Sequence, residues 1–154
     1  TAADVVVDAA LASMTRLNDD AARIAVAAGV RGATDVTGFG LLGHLGRAAI
    51  ESGVDVAIEV ASVPLLPGTR ELAEAGSMPG GSRRNLEWAD ERLDQGGFNE
   101  LDVLLLADAQ TSGGLVFGVD PTQVDGVLAE LDSTGHVAAV IGTATAGSGQ
   151  ITLT

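Results

Sequence analysis

The chain has no cysteine, no lysine and no tyrosine, and only one tryptophan, three phenylalanines and four prolines in 154 residues. No disulfide can brace the fold, and no thiolate can act as nucleophile or metal ligand. All eight cations are arginines, so neither a P-loop lysine nor a Schiff-base lysine is available. Against them stand 21 acids and a net charge of −13, which argues against nucleic acid or an anionic membrane as a partner. No apolar run of spanning length and no leader-like pattern occurs among these residues; with the absence of cysteine, a cytoplasmic location is the expectation. Apolar residues make up 46% of the chain, and with so few aromatics the core must be built from Ala, Val, Leu and Ile. The length predicts one domain able to bury about two-thirds of its unfolded surface.

What is present in quantity is glycine, and its most organised use is Thr34-Asp35-Val36-Thr37-Gly38-Phe39-Gly40-Leu41-Leu42-Gly43-His44. A short apolar lead reads as a strand. Leu41, Leu42, Leu45, Ala48 and Ala49 then recur at helical spacing, which puts the glycines on a strand-to-helix turn. Backbone N–H groups at such a turn, with the positive end of the helix behind them, suit an anion. Asp35 would repel a bare phosphate, so an acid paired with a glycine turn suggests a metal-bridged phosphate. Taken alone, Asp35 also fits a turn-stabilising or capping role. His44, one turn into the helix, reads either as a proton-transfer group or as a polar residue bonded to a nearby carbonyl.

The periodicities predict a helix over residues 2–14 and a second after Asn18, which stands where a cap would, ending at Gly29. A chain that opens in a helix without an initiating Met leads to the expectation that residue 1 is a cut within a longer protein. The helix from Leu41 to Ser52 ends at Gly53, and Val54 to Val60 alternates as a strand. This strand–helix–strand unit predicts a parallel or ferredoxin-like pairing. A short helix over Thr69 to Ala75 follows. The loop Gly76 to Ser82 leads to a helix starting near Arg83 that carries Leu86, Trp88 and Leu93. Leu101 to Ala107 reads as a buried helix or strand. Gly114 to Val119 and Val137 to Ile141 read as strands, Pro121 opens a helix, and Gln150 to Leu153 forms a last strand beyond a turn at Gly147 and Gly149. Trp88 and Phe98 are expected in the core.

Two further stretches carry potential chemistry. Arg83 and Arg84 form the one adjacent basic pair, and cations at a helix start imply either solvation or a compensating anion such as phosphate. Gln110-Thr111-Ser112-Gly113-Gly114 offers hydroxyls and backbone donors ahead of a strand, an ordinary turn or an anion nest.

The run DVTGFGLLGHL, followed in order by Pro79-Gly80-Gly81-Ser82-Arg83-Arg84-Asn85 and Asp108-Ala109-Gln110-Thr111-Ser112-Gly113-Gly114, closely resembles the C-terminal domain of the selenophosphate synthetases (selenide, water dikinases). Where that family carries proline after the aspartate of the last motif, this sequence has Ala109. The resemblance implies an α+β fold, a mixed β-sheet flanked by helices of partly ferredoxin-like topology, as in the C-terminal domains of aminoimidazole ribonucleotide synthetase and thiamine monophosphate kinase. It implies Asp35 as a ligand of Mg²⁺. It also implies Thr37, Gly38, Arg83, Arg84, Thr111, Ser112 and Gly113 as contacts to the phosphates of ATP, with Asn85 ordering its loop. The implied activity is phosphorylation of selenide by ATP to give selenophosphate, AMP and phosphate. The family's essential lysine and its cysteine or selenocysteine lie in an N-terminal ATP-binding domain, which becomes the expected partner, with a homodimer expected for the full-length enzyme. On this reading the chain alone holds no catalytic residue.

Two readings of other classes remain. Gly38, Gly40 and Gly43 formally satisfy G-x-G-x-x-G, with Glu59 near the position of a ribose-binding acid, the pattern of a dinucleotide-dependent oxidoreductase. A non-catalytic interaction domain is the other.

Overall fold

The computed structural model describes residues 2–154. Its elements run α1 (Asp4–Thr15), α2 (Asp19–Ala27), β1 (Ala33–Asp35), α3 (Gly40–Ser52), β2 (Val54–Ile58), α4 (Thr69–Glu74), α5 (Gly80–Ala89), β3 (Leu93–Asp94), α6 (Glu100–Leu106), β4 (Leu115–Phe117), α7 (Val124–Ser133), β5 (Gly142–Ala146) and β6 (Ile151–Leu153). The architecture is α+β with mixed strand directions, as expected from the sequence.

Four strands form one sheet in the order β3-β6-β2-β5. β2 runs antiparallel to β5, with Val54 opposite Ala146 and Ile58 opposite Gly142, and parallel to β6, with Val56 opposite Ile151. β3 lies parallel to β6 on its other side. The remaining two strands make a separate antiparallel ladder in which Ala33, Thr34 and Asp35 face Phe117, Val116 and Leu115.

The strand before the glycine turn therefore does not lie beside β2. The expected parallel pairing across α3 is replaced by an antiparallel partner some eighty residues away. The physical reason is visible in β4, whose residues alternate between two cores as a pleated strand must. Val116 packs with the main cluster, formed by Leu41, Leu42 and Ala49 of α3, Val103 and Leu106 of α6, and Val56, Ile58, Ile151 and Leu153 of the sheet. Leu115 and Phe117 pack with a second cluster of Ala21 and Ile24 from α2 and Val127 and Leu131 from α7. β4 thus packs against a different apolar cluster on each of its faces, and β1 pairs along its edge. Leu42 and Ile58 are fully buried in the main cluster; truncating either to alanine costs about 2–5 kcal/mol.

Several boundaries differ from expectation, each for a local reason. α5 begins at Gly80, immediately after Pro79, so Arg83 and Arg84 lie inside the helix and not at its start. It stops before Leu93, which belongs to β3. The stretch expected as helix or strand is the helix Glu100–Leu106, ending before Ala107, and Asn99 caps it: its Oδ1 accepts the Asp102 N–H at 3.0 Å. The strand expected at Val137 to Ile141 starts only at Gly142, where a Cβ would collide with the Ala57 carbonyl of the neighbouring strand. Asn18 stands at the N-cap of α2 without capping it; its Nδ2 donates instead to the Gly113 carbonyl at 3.0 Å. Phe98 packs against the main core as expected, but Trp88 is 54% exposed, with the far edge of its indole near Gly46.

Candidate functional site

The three stretches singled out in the sequence meet at one corner, where the end of β1, the loop before β4 and the first turns of α5 touch. Two glycines make that approach possible. Gly40 has φ +68°, and a Cβ there would stand 2.5 Å from the Ala107 carbonyl oxygen. A Cβ on Gly113 would stand 2.5 Å from the Val36 carbonyl oxygen. Neither position accepts a side chain without moving backbone.

The close approach is stitched by hydrogen bonds. Val36 N–H donates to the Gly114 carbonyl at 3.0 Å, Gly113 N–H to Val36 at 2.9 Å and Gln110 N–H to Thr37 at 3.0 Å. From α5, the fully buried Ser82 donates through Oγ to Asp108 Oδ1 at 2.7 Å and accepts the Ala109 N–H at 3.4 Å. That second contact needs an N–H, which a proline at this position would lack. Asn85 spends both amide protons on the junction, donating to the Gly38 carbonyl at 2.9 Å and the Ala107 carbonyl at 3.0 Å. Asn85 was expected to order its own loop; it lies instead within α5 and pins the Gly38 turn and the end of α6. The clamp role of Ser82, Asp108 and Gln110 was not anticipated, although all three lie within the quoted motifs; a serine following two glycines into a helix was the available signal.

The candidate ligand groups divide by what they already bind. Asp35 ends β1 with an exposed side chain, and among the described residues its carboxylate has no hydrogen-bond or ion-pair partner. Thr111 and Ser112 lie between the anchored Gln110 and Gly113, and among the described residues their hydroxyls and N–H groups have no acceptor, nor has the Gly38 N–H. The Gly113 N–H is already committed to Val36, so this glycine shapes the corner without offering a donor. Arg83 is drawn away: its Nη1 pairs with Glu100 Oε1 of α6 at 2.8 Å. Arg84 instead lies over the first turn of α5, its guanidinium about 4 Å from where Cβ atoms on Gly80 and Gly81 would stand. Among the described residues it has no ion-pair partner.

His44 is half-buried and turned toward the strand. Its Nε2 lies 3.0 Å from Thr37 Oγ1 and its Nδ1 3.4 Å from Thr34 Oγ1, while the Phe39 ring stands 5.7 Å away at a tilt of 56°. Its partners are hydroxyls, not a carbonyl.

The dinucleotide pattern fails on topology. That site needs the strand before the glycines and the strand after the helix to run parallel side by side, so that pyrophosphate and ribose are spanned. Here they lie in separate sheets, which removes Glu59 from any ribose position. Gly43 is explained locally, since a Cβ would come within 2.8 Å of the Phe39 Cβ.

A magnesium ion fits this corner only in part. Asp35 supplies a hard carboxylate, the donor Mg²⁺ prefers, but among the described residues no group of three or more acids and histidines is gathered to hold a metal. The corner can give one protein ligand to an ion whose other ligands come from phosphate, water or another domain.

The corner thus gathers a single exposed acid, unengaged hydroxyls and N–H groups on a glycine-braced turn, donors of the kind that suit an anion. The comparisons with known proteins give the family. Over residues 2–153 the sequence matches the family described as AIR synthase related protein, C-terminal domain, and the chain belongs to that family. Within it, the chain is similar to proteins named selenide, water dikinase. It is 44% identical to that of Porphyromonas gingivalis over 142 residues, covering 91% of this chain and 40% of the relative. It is 40% identical to that of Carboxydothermus hydrogenoformans over 139 residues, 90% of this chain and 40% of the relative. With that of Bordetella bronchiseptica it shares 46% over 108 residues, 70% of this chain and 31% of the relative. The chain thus spans about two-fifths or less of the length of these relatives. Among the described residues, no helix is long and apolar enough to cross a membrane.

Proposed function

We propose that the chain is the C-terminal domain of a cytoplasmic selenide, water dikinase, an ATP-dependent phosphotransferase that makes selenophosphate from selenide, and that its glycine corner completes a phosphate site shared with an N-terminal ATP-binding domain. The observation that carries this reading is the convergence of Asp35, Thr37, Gly38, Thr111 and Ser112 on one corner, clamped by Ser82 and Asn85.

Asp35 is the chain's ligand for Mg²⁺, and the ion would neutralise phosphate charge that an acidic surface would otherwise repel. Arg84 and the free N–H groups of Gly38, Thr111 and Ser112 bind and orient phosphate oxygens. Arg83 holds α5 to α6 through Glu100 and takes no part. The full-length enzyme is a homodimer.

The reaction also needs a residue to position the transferred phosphoryl group and one to handle selenide, and a chain with no lysine and no cysteine offers neither. The purified 154-residue chain is therefore expected to form no AMP from ATP and selenide, whereas the full-length enzyme does. Turnover by the isolated chain comparable with the whole enzyme would overturn the division of labour. Near-normal turnover of Asp35→Asn in the full-length enzyme would overturn the metal-site reading.

A further inference from the structure

His44 joins two hydroxyls, and a carbonyl beside one of them favours one direction for the resulting chain. Thr34 Oγ1 lies 3.2 Å from the Asp35 carbonyl oxygen and 3.4 Å from His44 Nδ1. A hydroxyl has one proton, and a carbonyl can only accept. With the Thr34 proton on the nearer carbonyl, Thr34 Oγ1 can meet Nδ1 only as an acceptor, so Nδ1 carries the ring proton. A neutral imidazole then has a bare Nε2, and the Thr37 hydroxyl, 3.0 Å away, must donate to it. The order is Thr37 O–H to Nε2, Nδ1–H to Thr34 Oγ1, Thr34 O–H to the Asp35 carbonyl. Once its proton is committed inward, the Thr37 oxygen can only accept.

We propose that His44 is a positioning residue that holds the Thr37 hydroxyl as a hydrogen-bond acceptor beside the Gly38 turn. That hydroxyl then receives a bond from a ligand hydroxyl, a ligand amino group or an ordered water, and does not donate to a bare phosphate oxygen. The corner is thereby divided, with phosphate oxygens left to Thr111, Ser112 and the free N–H groups, and a protonated ligand group assigned to Thr37. The orientation of the chain rests on the hydrogen bonds alone. The ligand contact deepens the function proposed above and rests on that reading.

Two-bond ¹H–¹⁵N correlation spectra of the chain, taken at about pH 8 where an ordinary imidazole is neutral, test the orientation. The expected result is a protonated Nδ1 and a bare Nε2 on His44. Thr34→Val removes the acceptor of Nδ1–H, so the ring should change to the Nε2–H form, with Thr37 accepting; Thr34→Ser keeps the hydroxyl and should keep Nδ1–H. A wild-type ring in the Nε2–H form, or a folded Thr34→Val variant still protonated at Nδ1, overturns the proposal. If Thr34→Val does not fold, the wild-type and Thr34→Ser spectra still decide it.

In the full-length enzyme, Thr37→Val and His44→Ala should each raise the KM for ATP about 3- to 10-fold, with a smaller change in kcat. Because both act on one contact, their combination should be no worse than the larger single change. An unchanged KM in both overturns the ligand contact. That failure is distinct from failure of the proposed function, which would show instead as an active Asp35→Asn enzyme.

Discussion

Asp35 and Asp55 both stand on short strands beside glycine turns, yet their carboxylates are in opposite situations. Asp55, on β2, accepts three backbone N–H groups on one oxygen, from Ser148 at 2.7 Å, Gly149 at 3.0 Å and Gln150 at 2.9 Å. These bonds, led by that from Gln150, hold its carboxyl below the usual carboxylate range. Gly147 has no side chain there because a Cβ would collide with this same carboxylate. Asp35 has a comparable glycine turn ahead of it, but its turn is closed by Asn85, Gln110 and Gly113, and the acid itself is left over. An acid that a fold needs is surrounded by the donors that need it. Asp35 is not, which is why the proposed site falls there and not at the turn between β5 and β6.

The largest expected effect separates the two acids by function. In the full-length enzyme Asp35→Asn should lower ATP turnover by orders of magnitude, because loss of the charge that draws a hard divalent ion removes several kcal/mol of transition-state stabilisation. Its thermal midpoint should stay close to wild type. Asp55→Asn should do the reverse, lowering the midpoint while leaving turnover near normal. If both variants lose stability and keep activity, the contrast between the two acids collapses.

Next in size is the backbone approach at the corner. Gly40→Ala forces a side chain into the Ala107 carbonyl at a left-handed φ, and should destabilise the chain by about 2–3 kcal/mol in denaturant titration. A neutral result would mean that the corner is looser than its hydrogen bonds imply.

Stability against pH sharpens the comparison further. A carboxyl whose folded pKa is depressed contributes stability that is fully present above its unfolded value, near 3.8, and is lost as pH falls through the lower folded value. Asp55→Ala should therefore flatten the acid limb of the stability curve below about pH 4 relative to wild type. Parallel limbs for the two proteins would show that the three N–H bonds do not persist in solution.

The smallest effect is expected at the two adjacent arginines. Arg83 and Glu100 are 64% and 74% exposed, so Arg83→Gln should cost less than about 1 kcal/mol and leave turnover unchanged. Arg84→Gln should raise the KM for ATP instead. Equal effects would return Arg83 to the site.

How much of this was legible in the sequence depended on how far apart the deciding atoms lie. Gly29 and Gly53 end their helices at left-handed φ, as their positions between apolar repeats indicate, and the strand-to-helix turn at Gly38 to Gly40 was visible for the same reason. The pairing of β1 with β4 was not visible. Nothing near Thr34 specifies Val116, and the choice is made by the second core of α2 and α7. The helix over residues 100–106 could have been read from Asn99 and Asp102, a capping pair that apolar periodicity overlooks. In the site, the residue types were legible and their commitments were not. Arg83 and Arg84 are identical letters until Glu100 claims one of them, and the Gly113 N–H counts as a donor only until Val36 is placed opposite.

The position of β6 bears on how the molecule is made. β6, the last strand in chain order, lies inside its sheet, between β3 and β2, with Ile151 and Leu153 buried in the main core. During synthesis β2 gains its antiparallel partner β5 only when residues 142–146 have emerged, and β3 has no strand to lie against until residues 151–153 follow. Until then Ile58 and Leu42 lack part of their covering, and a nascent chain stalled a few residues short would expose that apolar surface to aggregation or to chaperones.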